Sequence, residues 1–354
     1  MSYSTGRADA ADREALITLG ESVHASFATH RRFDHWFHRH PTGEVHIATV
    51  LDEAGRIVGA SWVFPLPIRY RNERRVLAQV GELVVHPDHR GGFAYALLAR
   101  QVNRIASEVA PAHISIVSDA TFERHRQARP KSVGTMPWLT RIVDAEGWAR
   151  AYAGRRGWPS AAVALGALAK GFAPIRRRPR SASLRLATGV DALRGHDPEG
   201  AGHEAGLAAI DADPDYLWWR FGPDTGRDYQ YLAGESPNGE RGLVVYRLTQ
   251  EGKAFVCFLD CPSTRLAATL LAVIEEQLIG MGGQMLSALV PHQPHITDAF
   301  RQRGFLANPA RRWRRLEGLW PASLPISIVR HDALPPGLAD AQSWAPGLAV
   351  HETI

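Results

Sequence analysis

Between Glu82 and Ala94 the chain sets a carboxylate, two imidazoles, a guanidinium and two adjacent glycines in one short stretch. Glu82 precedes the apolar run Leu83, Val84 and Val85, and burial there raises a carboxylate's pKa toward the range of a general base. The structural alternative is a buried glutamate satisfied by Arg74 or Arg75. His86 is a second base candidate. His89, Arg90, Gly91 and Gly92 then join positive side chains to backbone without Cβ atoms. Such a turn at a helix N-terminus lets a phosphate approach free N–H groups where the macrodipole is positive.

Two further clusters could do chemistry. His35, His38 and His40 invite a metal reading, but no carboxylate or cysteine completes a ligand set, and no metal is expected. Trp36, His38 and His40, with Trp218, Trp219 and Arg220 in the second half, suit the wall of an acceptor site for a sugar or amino-acid ring; the alternative is plain helix packing. Cys257 and Cys261 are the only cysteines, which fits a reducing compartment and builds no disulfide framework.

These groups need elements to hold them. The β-type run Leu83 to Val85 stops at Pro87, which cannot continue a central strand, and Ala94, Leu97, Leu98 and Val102 recur at helical spacing toward Val109. Glu82 therefore sits on a strand that leads through a glycine turn into a helix. Upstream, Ala11 to Phe27 and Phe33 to Arg39 read as helices. Val45 to Leu51 and Ile57 to Val63 read as a hairpin around Asp52-Glu53-Ala54-Gly55. Tyr70 to Val76 is a polar return before a strand at Val80 to His86. Downstream, His113 to Ser118 reads as a strand, Thr121 to Gln127 as a helix and Val133 to Val143 as a closing strand.

The run Leu83-x-Val85-x-Pro87 followed by His89-Arg90-Gly91-Gly92-Phe93-Ala94 resembles the acyl-CoA pyrophosphate loop of the GNAT superfamily of N-acyltransferases, Gln/Arg-x-x-Gly-x-Gly/Ala, with His89 where the family usually has Arg or Gln. The resemblance implies an acetyl-CoA or other acyl-CoA co-substrate held by residues 83–85 and 89–94. It also implies a strand N–H at Val84 or Val85 for the thioester oxygen, and a glutamate base at Glu82. The family's leaving-group tyrosine would fall at His125, which is either the proton donor or an ordinary helix histidine.

The second half echoes the first. Asp34-His-Trp36 through Pro41 and Gly43 returns as Tyr216-Leu-Trp218 through Pro223 and Gly226; Ile57 to Val63 parallels Gly242 to Leu248, and Leu83 to Leu98 parallels Cys257 to Leu271. The second loop, Pro262-Ser263-Thr264-Arg265, has no glycine and is not expected to bind CoA. The expected architecture is α/β (α+β): two tandem GNAT-like domains, each a mixed central sheet flanked by helices. Residues 1–145 are the catalytic domain, 146–182 a linker with a short helix and the basic run Arg176-Arg177-Arg178-Pro179-Arg180, 183–320 a degenerate copy and 321–354 a tail.

Composition narrows the partners. The chain has 354 residues, 45% hydrophobic content and a formal charge of +5 carried by arginine, since Lys131, Lys170 and Lys253 are the only lysines. The basic run has no aromatic interleaving, so nucleic acid is not expected. No apolar run spans a bilayer and the N-terminus is unlike a secretory signal, which points to a cytoplasmic protein without integral membrane association. Gly91-Gly92 lacks a following Lys-Ser/Thr, which excludes a P-loop. The expected activity is acyl transfer to the amine of a small molecule such as an amino sugar. The alternatives are a protein lysine or N-terminal acetyltransferase and an inactive CoA-binding protein.

Overall fold

The computed structural model describes residues 2–23, 25, 28–71, 73–116, 132–155, 157–172, 184–197, 208–249, 252–290, 293–307, 324–330, 338 and 344–345. The chain opens with β1 (Ser4–Arg7), α1 (Arg13–Ser22), α2 (His30–His38), β2 (His46–Leu51), β3 (Ile57–Tyr70), β4 (Glu73–Val85), α3 (Phe93–Val109), β5 (Ala112–Ile116) and β6 (Ser132–Met136). It continues through β7 (Trp138–Ile142), α4 (Ala145–Arg155), α5 (Ala162–Phe172), β8 (Arg185–Thr188), β9 (Ala208–Ile210), α6 (Pro214–Phe221), β10 (Tyr229–Glu235), β11 (Arg241–Leu248) and β12 (Lys253–Asp260). The last described elements are α7 (Thr264–Gly280), β13 (Met285–Leu289), α8 (Pro294–Gln302), β14 (Leu306–Ala307), β15 (Leu324–Arg330) and β16 (Trp344–Ala345).

Two mixed sheets flanked by helices result, as the sequence leads one to expect. The first runs β1-β2-β3-β4-β5-β15-β6, with β9 on β3 and β16 on β9; the second runs β14-β7-β13-β12-β11-β10-β8. Each contains one parallel pair beside a helix crossover: β4 with β5 around α3, and β12 with β13 around α7. The helix α3 lays Ala94, Leu98, Val102, Ile105 and Ala106, one face at helical spacing, on the buried side chains of β2 to β4. Residues Leu266, Leu270, Ile274 and Leu278 do the same for α7 in the second sheet.

The sheets exchange strands. Where one closing strand is expected over Val133 to Val143, Pro137 interrupts the ladder; β6 stays in the first sheet and β7 joins the second, antiparallel to β13 over five residue pairs. Thr140 and Ser287 share a buried hydroxyl hydrogen bond of 2.9 Å, and Arg141 meets the buried Glu275 of α7 at 3.2 Å. In return the proline-rich tail supplies β15, which lies between β5 and β6.

The β3–β4 hairpin is longer than its sequence suggests, because Pro65 and Pro67 lie inside β3. β2 pairs with β3 only as far as Val63 and β9 takes up this edge only at Ile68 and Arg69, so between them one side of β3 is open and a missing N–H is tolerated. The carbonyls there are used: Thr42 donates its hydroxyl to Pro65 and the Asp211 N–H goes to Pro67. Beside that edge the buried Asp211 accepts hydrogen bonds from Arg69 of β3, at 3.0 and 3.3 Å, and from Arg74 of β4. A single apolar cluster runs from Leu16 and Trp62 to Tyr216, Val245 and Leu289, so both halves share one core.

Candidate active site

The register of β3 and β4 shifts at Glu82. Trp62 faces Gly81 and Ala60 faces Val84, so Glu82 and Leu83 together oppose the one residue Ser61. This is a β-bulge, and it is held from across the ladder by the Ser61 hydroxyl donating to the Gly81 carbonyl at 2.9 Å. Glu82 takes φ of +35°, a left-handed conformation uncommon for a residue with a Cβ. Backbone strain of this kind persists where surrounding structure imposes it, commonly at functional sites.

Ahead of the bulge β4 pairs with β5 at Ala78 with His113 and Gln79 with Ile114, and among the described residues no pairing follows toward Val85. The His86 N–H donates to the Val58 carbonyl of β3 at 2.8 Å, so the polar groups of Val85 face the other way, into the gap. The Val85 carbonyl accepts Arg90 Nε there at 3.1 Å. A gap between strands with an inward N–H can receive an acyl oxygen.

The glycine loop lies beyond. Pro87 to His89 form a single tight turn, with His86 at its N-cap accepting from the Asp88 N–H. His89 Nδ1 hydrogen-bonds the Tyr3 hydroxyl at 3.2 Å, which ties the loop to the residue before β1. Gly91 has φ of +83°, and Gly92 is the N-cap of α3 with no side-chain cap. A Cβ added at either glycine would meet nothing within 4 Å. The cradle is therefore open, and the macrodipole of the seventeen-residue α3 points its positive end there. Phe93 is 79% exposed beside the loop, whereas Ala94 is buried under the helix.

The equivalent position in the second sheet is closed. Ser263 caps α7 by accepting from the Leu266 N–H and donates its own hydroxyl to Glu240. Its helix N-terminus already has a side-chain partner.

Arg74 and Arg75, the partners considered for Glu82, are engaged elsewhere, Arg74 with Asp211 and Asp213 and Arg75 with Glu73. Burial is the first influence that lowers Arg32 of α2, and the Glu82 carboxylate acts on it in the opposite sense. His125 lies outside the described residues.

The structure gathers the half-buried His40 with the buried Trp36 and Arg220 in one cluster. Arg220, 2% exposed, stands 4.9 Å from the Trp36 ring, and His40 meets Trp219 at 4.2 Å between centroids. Burial, and then the Arg220 guanidinium, push the His40 imidazole down to about 3, so it is neutral at ordinary pH. His38 points outward, and Trp218 lies under Arg194, 4.0 Å from its ring. The three histidines do not converge. His35 is buried, donating from Nε2 to the Trp219 carbonyl at 2.6 Å, while the Trp219 indole donates to the His35 carbonyl at 3.3 Å. Trp219 joins α2 to α6; the sequence offers Trp218 and Trp219 side by side, and only the packing of the short α6 shows which of them faces inward. Both cysteines are free and buried, and burial pushes the Cys257 thiol up to about 11, so neither is a ready nucleophile.

Residues 7–126 match the family described as "Acetyltransferase (GNAT) domain". No curated protein matches the sequence. Solved structures are similar in fold. A probable N-acyltransferase from Enterococcus faecalis V583 has a TM-score of 0.56 at 9% identity, over 94% of this chain and 73% of that one. A GCN5-related N-acetyltransferase from Kribbella flavida has a TM-score of 0.52 at 16% identity, over 96% and 74%. Saccharomyces cerevisiae N-myristoyltransferase with bound myristoyl-CoA has a TM-score of 0.58 at 12% identity, over 94% and 80%.

Proposed function

We propose that this chain, an acyltransferase that belongs to the GNAT superfamily through its residues 7–126, moves an acyl group from a CoA thioester to the amine of a small molecule by direct attack. The observation that carries the reading is the conjunction of the Glu82–Leu83 bulge, the parting of β4 from β5 and the open Gly91–Gly92 cradle. In this reading the α3 N-terminus and residues 89–94 hold the pyrophosphate, and residues 83–85 line the thioester. The acceptor nitrogen attacks the carbonyl carbon, forming the C–N bond. The oxyanion meets the Val85 N–H, Glu82 takes the amine proton, and the C–S bond breaks to release CoA thiolate. His86, an N-cap at the head of the loop, is the second base candidate, and His125 the candidate proton donor to the thiolate.

Residues 1–145 carry the chemistry in this proposal, 183–320 complete the acceptor side, 146–182 link the two, and 321–354 are a tail. Trp36, His38, His40, Trp218 and Arg220 form or support the acceptor wall. We place the protein in the cytoplasm, on its two free cysteines; no helix among the described residues is long and apolar enough to cross a membrane. The fold similarity to the yeast N-myristoyltransferase makes a long-chain donor worth testing beside acetyl-CoA.

The test is calorimetric titration of the intact protein with CoA, acetyl-CoA, a medium-chain acyl-CoA and myristoyl-CoA, followed by thiol release with an amine panel and a peptide panel. Tight binding of one thioester and amine-dependent release are expected. Peptide acylation alone would favour the protein-modifying alternative. Binding without turnover would favour a CoA-binding protein that has lost catalysis.

A further inference from the structure

Tyr3 lies just ahead of β1, and β1 carries it to the head of the glycine loop. The strand pairs antiparallel with β2, from Ser4 with Leu51 to Arg7 with Ala48, and forms one edge of the first sheet. Three contacts lay it along α3. Arg7 pairs with Glu108 in the last turn of the helix, and the Gly6 carbonyl accepts the side-chain amide of the buried Gln101 at 2.8 Å. The Tyr3 hydroxyl then meets His89 Nδ1 at 3.2 Å, ahead of the first turn. Read backward from Arg7, the strand follows the helix to its N-terminal end and delivers a phenol there.

His89 is held by both its backbone and its ring. Its N–H donates to the His86 carbonyl at 2.9 Å, closing the tight turn. Its ring stands edge on to Tyr3, 5.8 Å between centroids at 73°, and 5.9 Å from the His86 ring at 70°. Tyr3 is half-buried, packed against the cluster that contains Ala94 and Leu98 of α3. An imidazole that keeps one proton can carry it on either nitrogen, and the partner at one nitrogen decides the other. A phenol O–H donating to Nδ1 puts that proton on Nε2, across the ring from Tyr3. Gly91 follows two residues later, so the donor so made belongs to the loop that forms the cradle.

We propose that Tyr3 is a positioning residue of the CoA loop: its hydroxyl donates to His89 Nδ1 and thereby presents His89 Nε2–H, in one orientation, to the pyrophosphate of the acyl-CoA. The inference rests on the acyltransfer reading and adds to that site a residue 86 positions away from its partner. It also accounts for a histidine where the family usually has Arg or Gln. A guanidinium or an amide always has an N–H to present, whereas an imidazole presents one at a chosen nitrogen when its other nitrogen is held. Tyr3 touches no substrate and acts through His89.

The test is a double-mutant cycle. Calorimetric Kd values for CoA and acetyl-CoA are measured on the parent, Tyr3→Phe, His89→Ala and the double variant, with melting temperatures in parallel. Tyr3→Phe keeps the packed ring and removes only the hydroxyl. It should weaken CoA about fivefold, the worth of one hydrogen bond, with a melting temperature within about 2 °C of the parent. His89→Ala should weaken CoA at least as much, and adding Tyr3→Phe to it should change the Kd by less than about twofold. Losses that multiply, or a Tyr3→Phe Kd within about twofold of the parent, would overturn the proposal.

Proton–nitrogen correlation spectra of histidine-labelled protein read the tautomer itself at about pH 8, where an ordinary imidazole keeps one proton. The His89 signals are those lost in His89→Ala. Nδ1 should be the bare nitrogen in the parent, its resonance should move in Tyr3→Phe, and Nε2 should move when CoA is added; a packing role for the Tyr3 ring would move neither. A proton on Nδ1, or an Nε2 that CoA leaves unchanged, would overturn the proposal. If the parent binds neither CoA nor acetyl-CoA, the acyltransfer reading fails and this inference fails with it. CoA binding without coupling between Tyr3 and His89 overturns this inference alone and leaves that reading standing.

Discussion

Replacing Gly92 by Asp separates binding from folding at a single position. Gly92 has φ of −108° and ψ of −163°, extended backbone open to any residue, and a new Cβ meets nothing within 4 Å. It is also an N-cap without a capping side chain, a place where Asp ordinarily accepts the free N–H groups of the first turn. The variant should therefore fold at least as well as the parent. The cap is worth a few tenths of a kcal/mol over glycine and the macrodipole contributes about 0.3–1 kcal/mol. The same carboxylate would stand roughly 5 Å from a pyrophosphate held there. Each phosphate charge then costs about 0.8 kcal/mol if the site is as wet as bulk water and about 3 kcal/mol at an effective dielectric near 20. Two charges weaken CoA binding about 15-fold even at the lower figure. Gly92→Asn supplies a similar cap without the charge and should cost only about fivefold, one neutral hydrogen bond's worth. Calorimetric Kd values for CoA, with melting temperatures in parallel, decide the matter. A Gly92→Asp protein that keeps its melting temperature and binds CoA within threefold of the parent would refute the cradle.

Two other outcomes are expected. Glu82→Gln should lower kcat at least about 100-fold with acyl-CoA affinity unchanged, and Glu82→Gly should lower it equally while raising stability by about 1 kcal/mol through relief of the positive φ; a rate within threefold of the parent would make Glu82 structural. Stability should decline on acidification below about pH 6.5, because the half-buried His40 stays neutral in the fold down to about 3 whereas the unfolded chain takes up the proton near the ordinary value of 6.5. His35 and His46, also lowered by burial, add to the same loss. The His40 share is at most about 1.4 kcal/mol per pH unit, present in full above 6.5 and lost toward 3. His40→Phe should flatten the slope of urea midpoints between pH 7 and 5 by that share, and an unchanged slope would show that His40 titrates normally.

What the amino-acid order determined by itself is local. Pro87, Gly91 and Gly92 stop a strand, turn the chain and start a helix through restrictions on their own φ, ψ and N–H. The face Ala94-Leu98-Val102-Ile105 fixes which side of α3 is buried, because period and apolarity lie in the residues themselves. The glycine cradle and the helical parts of both halves were legible for that reason. What only the tertiary structure decided is pairing. The bulge that turns Glu82 into φ of +35° exists because Ser61, twenty-one positions earlier, meets two residues rather than one, and no local signal counts partners. Pro137 marks a break, yet that β7 leaves for the second sheet and β15 arrives from the tail follows from which edges were open. Trp219 rather than Trp218 faces α2 because α6 docks on that side.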